Sequence, residues 1–187
     1  MIQIKNFVFN PFQLNTYVLF DESRQAVIID PGCYNEDEAN QLLAFIEEEQ
    51  LIPVHCLITH PHVDHLLGCN FVFKTFKLKP IMHETGMELL INAVQYGNIY
   101  GFKMEDVIVP DQFLEEGQPI QWGNSKLDVL FTPGHADGSV CFLNRDDAFV
   151  ITGDVLFHES IGRTDLPGGD SEMLIKNIVT VQGLLTC

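Results

Sequence analysis

The sequence predicts an α+β fold, in which strands and helices pack in layers around one core. The chain has 187 residues and an apolar content of 46%, enough for one domain with a sizeable core. Short apolar runs bounded by turn signals indicate strands, and longer stretches with apolar residues at helical spacing indicate helices. Strands and helices follow one another twice without a linker, so we expect residues 1–187 to form a single domain.

The first half of the chain predicts five strands and three helices. The third strand, at 26–29, is an uninterrupted apolar run that the turn signal Asp30-Pro31-Gly32 ends. Apolar residues at helical spacing over 39–46 indicate the first helix. We expect strands at 2–9 (with an irregularity in its middle), 16–20, 26–29, 54–58 and 80–83, and helices at 36–50, 63–77 and 85–95.

The second half is richer in strands and turns. Residues 96–111 combine glycines, acidic residues and the aromatic residues Tyr96, Tyr100 and Phe102. This segment is either a substrate-facing loop, in which the rings pack on a substrate, or a solvated connector. We expect strands at 127–131, 139–143 and 148–152 and a final helix at 170–185.

The charge of the chain argues against two classes of partner. With 26 acidic and 10 basic residues, the net charge is −16. Such a charge argues against nucleic acid or an anionic membrane surface as the main partner. An anionic substrate would need a local positive charge, which a bound metal ion supplies.

The cysteines and the N-terminus predict a cytoplasmic protein. No Cys-x-x-Cys pair occurs, so we expect reduced thiols instead of a disulfide framework. The N-terminus lacks a charged leader followed by an apolar core, and no stretch is long enough to span a bilayer. These features weigh against a secreted antibiotic-degrading enzyme. The five cysteines are Cys33, Cys56, Cys69, Cys141 and Cys187.

A cluster of histidines follows the fourth predicted strand. His60 and His62 lie on the same side of an extended backbone, and Asp64 and His65 follow where a helix begins. Three imidazoles and one carboxylate this close together are costly to desolvate unless something binds them. Imidazole and carboxylate together suit zinc, with iron or manganese as alternatives. The other interpretation is a group of structural histidines.

This His-x-His-x-Asp-His stretch resembles the signature of the metallo-β-lactamase fold superfamily. Two more segments match that family: the loop around His135, at 132–139, and the pair Gly153-Asp154 at a strand end. The resemblance implies a four-layer αββα sandwich with two facing sheets. It also implies a metal site assembled from distant parts of the chain. In that site His60, His62 and His135 hold one metal, Asp64 and His65 hold a second, and Asp154 bridges the two.

One feature of the family is missing from this sequence. Family members with two metals carry a further histidine in a Gly-His-Gly turn after the last helix, and no Gly-His-Gly occurs here. The chain stops at Cys187, so the resemblance implies a truncated C-terminus that lacks the last strand, or an incomplete second site. His158 is a conceivable substitute ligand. We therefore expect one or two metal ions per chain, with lower occupancy at the second site.

Several residues near the expected site have two interpretations. Asp30, at the end of a strand, either supports the metal-binding loop or is a simple turn carboxylate. His55 alternates away from the other histidines, so we expect it not to bind metal. His83 is expected to be structural. For Arg163 and Asp165, an ion pair that holds the loop near the site is favoured over a role in substrate binding.

The segment 160–170, which contains Ser-Ile-Gly-Arg-Thr-Asp and Pro-Gly-Gly, points to one reaction. It resembles short bacterial hydrolases of the glyoxalase II type, which are similar to hydroxyacylglutathione hydrolase but lack its glutathione-binding C-terminal domain. The resemblance implies a thioesterase in which a metal-bound hydroxide cleaves a small-molecule acyl-thiol such as S-lactoylglutathione. Asp64, which orients the hydroxide, and the bridging Asp154 are the expected catalytic carboxylates.

Two other functions stay open. Persulfide dioxygenases share the fold and a Gly-Arg-Thr-Asp segment, and the resemblance implies that their single iron would be held here by His60, His135 and Asp154. The chain could also be an inactive metal-binding fragment. The sequence leaves the native metal and the oligomeric state undetermined.

Overall fold

Two β-sheets face each other, and helices cover the outer side of each sheet. The computed structural model describes residues 1–185. One apolar core lies between the two sheets, a second lies between the first sheet and four helices, and a third lies between the second sheet and the last helix. The order of layers is therefore α, β, β, α, which confirms the predicted fold class.

The first sheet has six strands, in the order β1-β2-β3-β4-β5-β6. Its first three strands are antiparallel, and β3 to β6 run parallel to one another. Parallel strands end at the same edge of a sheet, so the loops that follow β3 and β4 lie side by side. The bounds are β1 Gln3–Phe9, β2 Leu14–Phe20, β3 Gln25–Ile29, β4 Ile52–Leu57, β5 Pro80–His83 and β6 Phe113–Leu114.

The second sheet is antiparallel and has the order β10-β9-β8-β7. A separate two-stranded hairpin, β11 and β12, follows it in the chain. The bounds are β7 Ile120–Trp122, β8 Ser125–Phe131, β9 Val140–Asn144, β10 Phe149–Ile151, β11 Leu156–Phe157 and β12 Ser160–Ile161.

The helices cover the sheets with their apolar faces. On the first sheet, Leu42 and Ile46 of the first helix pack with Val18 and Ile28. On the second sheet, Leu174 and residues along the same face of the last helix pack against β9. The bounds are α1 Glu36–Glu48, α2 Val63–Leu66, α3 Cys69–Phe76, α4 Met87–Ile99, with a 3₁₀ turn at Glu84–Gly86 before it, and α5 Ser171–Leu185.

Strand β3 shows why the apolar runs of the sequence form the centre of this sandwich. Ile28 belongs to the core shared with the helices, whereas Val27 and Ile29 belong to the core between the sheets. All three side chains are fully buried. A strand covered on both faces needs apolar residues at every position, which explains its lack of alternation.

The structure corrects four expectations about secondary structure. The single helix predicted at 63–77 is two helices, because the backbone N–H of Gly68 turns to donate to the carbonyl of Pro31 at 2.7 Å. The helix predicted at 85–95 continues to Ile99 as α4, so Tyr96 is helical and does not lie in a loop. Strand β1 pairs with β2 without the predicted irregularity. The short strands β6, β7, β11 and β12 were not predicted.

The cysteines described by the structure are buried thiols without a disulfide: Cys33, Cys56, Cys69 and Cys141. Cys187, where we expected the chain to be truncated, lies outside the described residues. Within residues 1–185, no helix combines the length and the apolar character needed to cross a membrane.

Candidate metal centre

The histidine loop lies at the edge of the first sheet where its parallel strands end. His60 and His62 follow β4, and Asp64 and His65 lie in the short helix α2. Two further residues approach from the second sheet. His135 lies in the loop between β8 and β9, and Asp154 lies directly after β10. The predicted donors therefore come from both sheets and meet at one rim of the sandwich.

Three ring nitrogens converge at this rim. Nε2 of His60 lies 3.1 Å from Nδ1 of His62 and 3.2 Å from Nε2 of His135, and the last two atoms are 3.0 Å apart. Four-coordinate zinc with ligands at about 2.1 Å separates neighbouring ligand atoms by about 3.4 Å. The triangle of nitrogens is close to that size, so these side chains are arranged as one face of a metal-binding tetrahedron.

The second ring nitrogens of His60 and His135 fix which atom faces the triangle. Nδ1 of His135 lies 2.8 Å from the carbonyl oxygen of Arg163, which only accepts, so Nδ1 carries the proton. The hydroxyl of Thr59 donates to Asp30 and can therefore accept from Nδ1 of His60, at 3.1 Å. Both Nε2 atoms keep a free lone pair directed into the triangle, as a metal ligand requires.

A second group of donors adjoins the first. Nε2 of His65 lies 3.5 Å from Oδ1 of Asp154 and 3.6 Å from Oδ2 of Asp64. The other oxygen of Asp154 faces His135 at 3.6 Å. One carboxylate therefore points an oxygen at each group, as a bridging ligand would.

His65 provides a direct test of whether a metal fits. Its Nε2 is buried and has no hydrogen-bond partner among the described residues, whereas its Nδ1 lies 3.0 Å from Oδ2 of Asp30. A buried polar atom without a partner is rare and calls for a bound species. A metal ion would satisfy this atom. The potential ligand atoms of His60, His65 and Asp154 all lie within 4.8 Å of one another.

The contacts of Asp30 decide between its two interpretations, a support of the metal-binding loop and a simple turn carboxylate. Its carboxylate accepts from the backbone N–H and from the hydroxyl of Thr59, each at 2.7 Å, and faces His65. It is 1% exposed. Asp30 therefore supports the donor loop and is not a simple turn residue.

Burial keeps the imidazoles of the triangle neutral. It lowers the pKa of His60 well below the ordinary value and the pKa of His62 to about 3. Burial also lowers the pKa of His135. For His65 burial acts in the same direction, but the carboxylates of Asp30 and Asp64 outweigh it and raise the pKa. The triangle thus offers lone pairs, and the adjoining group attracts a positive charge.

The two carboxylates differ because their neighbours differ. Burial raises the pKa of Asp64. Burial acts on Asp154 in the same way, but its contacts with His65 and His135 are stronger and lower its pKa. The carboxylate of Asp154 is therefore the more readily ionised of the two.

Two cavities open on these donors. The larger, of about 360 Å³, reaches His62, His135 and Asp154. The smaller, of about 270 Å³, reaches His65 and Asp154 from another side. Asp64 lines both cavities, so it lies at the boundary between them.

The sequence profile of the metallo-β-lactamase superfamily matches residues 9–183. The chain belongs to this superfamily. It is 36% identical over 169 residues to the probable metallo-hydrolase YqgX of Bacillus subtilis, an alignment that covers 90% of this chain and 78% of that protein. It is 34% identical over 171 residues to the hydroxyacylglutathione hydrolase GloC of Haemophilus influenzae, covering 90% and 79%.

Solved structures of the superfamily have the same fold. The B3 metallo-β-lactamase BLEG-1 superposes with a TM-score of 0.85 at 34% identity, covering 95% of this chain and 84% of that one. TTHA1623, solved in a di-iron-bound form, superposes with a TM-score of 0.85 at 32% identity, covering 96% and 86%. These superfamily members carry different functional names, so the fold alone does not fix the reaction.

Of the other histidines, two make contacts outside the donor set and the third lines the smaller cavity. Nε2 of His55 lies 3.1 Å from the carbonyl oxygen of Gln121. His83 stacks on Phe131 with ring centroids 4.1 Å apart. His158, considered as a substitute ligand, is exposed and lines the smaller cavity.

Sequence reasoning assembled the donors but missed residues that support them. Thr59, which hydrogen-bonds Asp30 and adjoins the ring of His60, was not singled out, although its place directly before the motif was a signal. Asn10 was missed as well. Its side chain donates to the carbonyl oxygen of Asp64 at 3.2 Å, and no local pattern indicates a contact between residues so far apart in sequence. Arg163 and Asp165 form the ion pair that the sequence predicted.

Proposed function

We propose that this protein is a metal-dependent thioester hydrolase. His60, His62 and His135 would hold the first ion, and His65 and Asp64 the second, with Asp154 between them. The convergence of three imidazole nitrogens within 3.0–3.2 Å, beside a cavity of about 360 Å³, carries this proposal. Zinc is our first choice, because a set of three imidazoles suits it. Iron is an alternative, because the similar protein TTHA1623 was solved in a di-iron-bound form. Manganese is a further alternative, because it also takes carboxylate ligands.

We expect the second ion to bind more weakly than the first. The first group consists of three imidazoles, whereas the second has one imidazole, that of His65, beside the carboxylates of Asp64 and Asp154. The side chains of Asp64 and Asp154 are also 18% and 27% exposed. Partly exposed carboxylates attract an ion less strongly, because water weakens the interaction between the charges.

The chemistry is a hydrolysis. The oxygen of water bonds to the carbonyl carbon, the carbon–sulfur bond breaks, and its electron pair leaves on sulfur. The two protons of water are shared between the thiol, the acid and solvent. An ion bound at this site supplies a water of lowered pKa and polarises the carbonyl group.

The residues of the chain prepare this step. Asp30 and Thr59 hold the histidine loop, so the lone pairs do not have to reorganise during the reaction. Asp64, at the boundary of both cavities, would orient the attacking water. A thiolate leaves readily, so the site needs no strong general acid.

The choice of a thioester is supported by one relative. The chain is 34% identical to a protein named hydroxyacylglutathione hydrolase, and the alignment covers 90% of this chain. S-lactoylglutathione is therefore the first substrate to test. The small-molecule substrate, without nucleic acid or a membrane as partner, is still a prediction. The cytoplasmic location and the single-domain organisation are predictions as well.

The decisive experiment measures thioester cleavage against metal content. The purified protein is stripped with a chelator, reloaded with zinc, iron(II) or manganese, and mixed with S-lactoylglutathione while thiol release is followed. We expect the activity to return with metal and to fall by about 100-fold or more in His135→Ala. His55→Ala, a matched change outside the site, should stay within about twofold. Absence of thiol release with every metal would refute the proposal.

The same preparation tests other functions. The similarity to BLEG-1 justifies an assay with a chromogenic β-lactam. Oxygen uptake with glutathione persulfide and iron would indicate a dioxygenase. Metal binding without any turnover would indicate the inactive metal-binding fragment that the sequence left open.

A further inference from the structure

The wall of the larger cavity is apolar beyond the metal donors. Tyr96 from α4 and Tyr100 directly after it are four residues apart, so they lie on one face of the helix. Phe12, from the turn between β1 and β2, packs edge-on against Tyr100 with ring centroids 5.7 Å apart. Leu89 and Leu166 also line the cavity. A substrate that enters meets rings and aliphatic side chains before it reaches the donors.

The same wall offers almost no positive charge. Arg163 is the single cationic side chain among the described residues that line the cavity. Its guanidinium already binds Asp165 through two hydrogen bonds of 2.7 Å. The positive charge of the proposed metal ions would lie at the cavity floor, beside Asp64 and Asp154, and not along the wall.

Glutathione fits such a wall poorly. It carries two carboxylates and one ammonium group, and a carboxylate placed against apolar side chains loses hydration without gaining a partner. An uncharged apolar thiol gains from the same contact, because its surface and the rings leave water together.

We propose that the thiol half of the preferred substrate is uncharged and apolar, and that Tyr96 and Tyr100 determine this preference. This inference rests on the proposed thioesterase function and narrows its substrate class. Phe12 completes the same wall through its contact with Tyr100.

The first test compares two thioesters with one acyl group. S-lactoyl esters of benzyl mercaptan and of glutathione are assayed on the metal-loaded protein, and each rate is divided by the rate of alkaline hydrolysis of that ester. We expect kcat/KM for the benzyl ester to exceed that for the glutathione ester by about tenfold. A preference for the glutathione ester would overturn this inference and leave the thioesterase proposal intact.

Variants show whether the wall causes the preference. Tyr96→Ala and Tyr100→Ala should each lower kcat/KM for the benzyl ester by about tenfold, mainly through KM, and change the glutathione ester by less than about twofold. Phe113→Ala, a change of an exposed aromatic residue that does not line this cavity, should change kcat/KM for neither ester. Equal losses for both esters in the cavity variants would contradict a role in specificity.

Releasing Arg163 from its ion pair should favour the glutathione ester. Asp165 is exposed and lies outside the donor set, so Asp165→Asn should leave the fold intact and release Arg163 from its ion pair. We expect kcat/KM for the glutathione ester to rise by about threefold and that for the benzyl ester to stay constant. An unchanged kcat/KM for the glutathione ester would contradict a role of this charge in substrate selection.

Binding separates this inference from the proposed reaction. Thioethers in which CH₂ replaces the carbonyl group cannot be cleaved, and calorimetry measures their affinity directly. The benzyl thioether should bind about tenfold more tightly than the glutathione thioether. If neither ester is cleaved, the thioesterase proposal fails, whereas equal or reversed affinities of the thioethers refute the inference itself.

Discussion

Replacing Asp30 by asparagine tests whether the donor loop depends on one buried carboxylate. The carboxylate accepts from the N–H and the hydroxyl of Thr59 and faces Nδ1 of His65. Asparagine preserves the size of the side chain and tolerates the left-handed backbone of this residue, whose φ is 50°. The change therefore removes charge and one acceptor oxygen without a steric effect.

The expected magnitude follows from these contacts. The amide has one acceptor oxygen, which can still accept from the N–H of Thr59, but its NH₂ group meets the N–H of His65, donor against donor. The proton of His65 is then better placed on Nε2, the atom that should bind metal. Loss of such a supporting contact lowers metal affinity by about 10- to 100-fold. This corresponds to about 1.4–2.8 kcal/mol.

The assay is a competition titration of zinc against a chelating dye, with the metal content measured independently. Asp21→Asn is the matched control, since Asp21 is also a buried carboxylate that accepts hydrogen bonds, from Ser23, Asn124 and Ser125. We expect the control to lower Tm but to keep its zinc affinity within about twofold. The reasoning is refuted if both variants lower Tm alike and Asp30→Asn binds zinc as tightly as the unmodified protein.

Three further perturbations have defined outcomes. Burial raises the pKa of Asp21, but its hydrogen bonds outweigh this effect and lower the pKa to about 2, so its stabilisation is present above about pH 4 and is lost as pH falls towards 2. The Tm difference between the unmodified protein and Asp21→Asn should therefore shrink as the pH falls from about 4 to about 2 in calorimetry. Gly68→Ala places a Cβ 2.7 Å from the carbonyl oxygen of Pro31 and should lower the free energy of unfolding by about 1–3 kcal/mol. The matched variant Gly183→Ala adds a Cβ with no other atom of the described residues within 4 Å, its own helix backbone aside, and should not lower the free energy of unfolding. Chelation of metal should lower Tm by several degrees, because the ion binds only the folded chain, and an unchanged Tm would argue against a bound ion.

The sequence predicted the part of the site that is local. His60, His62, Asp64 and His65 lie within six positions, so a strand followed by a turn brings them together whatever the rest of the fold. The remaining donors, His135 among them, come from the other sheet. Spacing could not unite those donors with the loop, and the family resemblance was needed to propose the set.

The parts that sequence reasoning missed depend on contacts between distant residues. A helix was predicted through Gly68, because its neighbours have helical spacing, but the close approach of Pro31 ends that helix. Tyr96 was expected in a loop because glycines and acidic residues follow it, yet packing of α4 extends the helix beyond it. Phe12 was not noticed at all, since a lone aromatic residue in a turn has no periodicity.

Asn10 links the proposed substrate wall to the proposed metal-binding loop through hydrogen bonds. Its Nδ2 donates to the carbonyl oxygens of Gly32 and Asp64, at 3.0 and 3.2 Å, and its Oδ1 accepts from the N–H of Phe12 at 2.9 Å. We therefore expect a substrate that displaces Phe12 to shift the backbone that carries the Asp64 carboxylate as well. Substrates whose thiol half fits the wall poorly should then have a lower kcat as well as a higher KM, because their binding displaces the Asp64 carboxylate that would orient water.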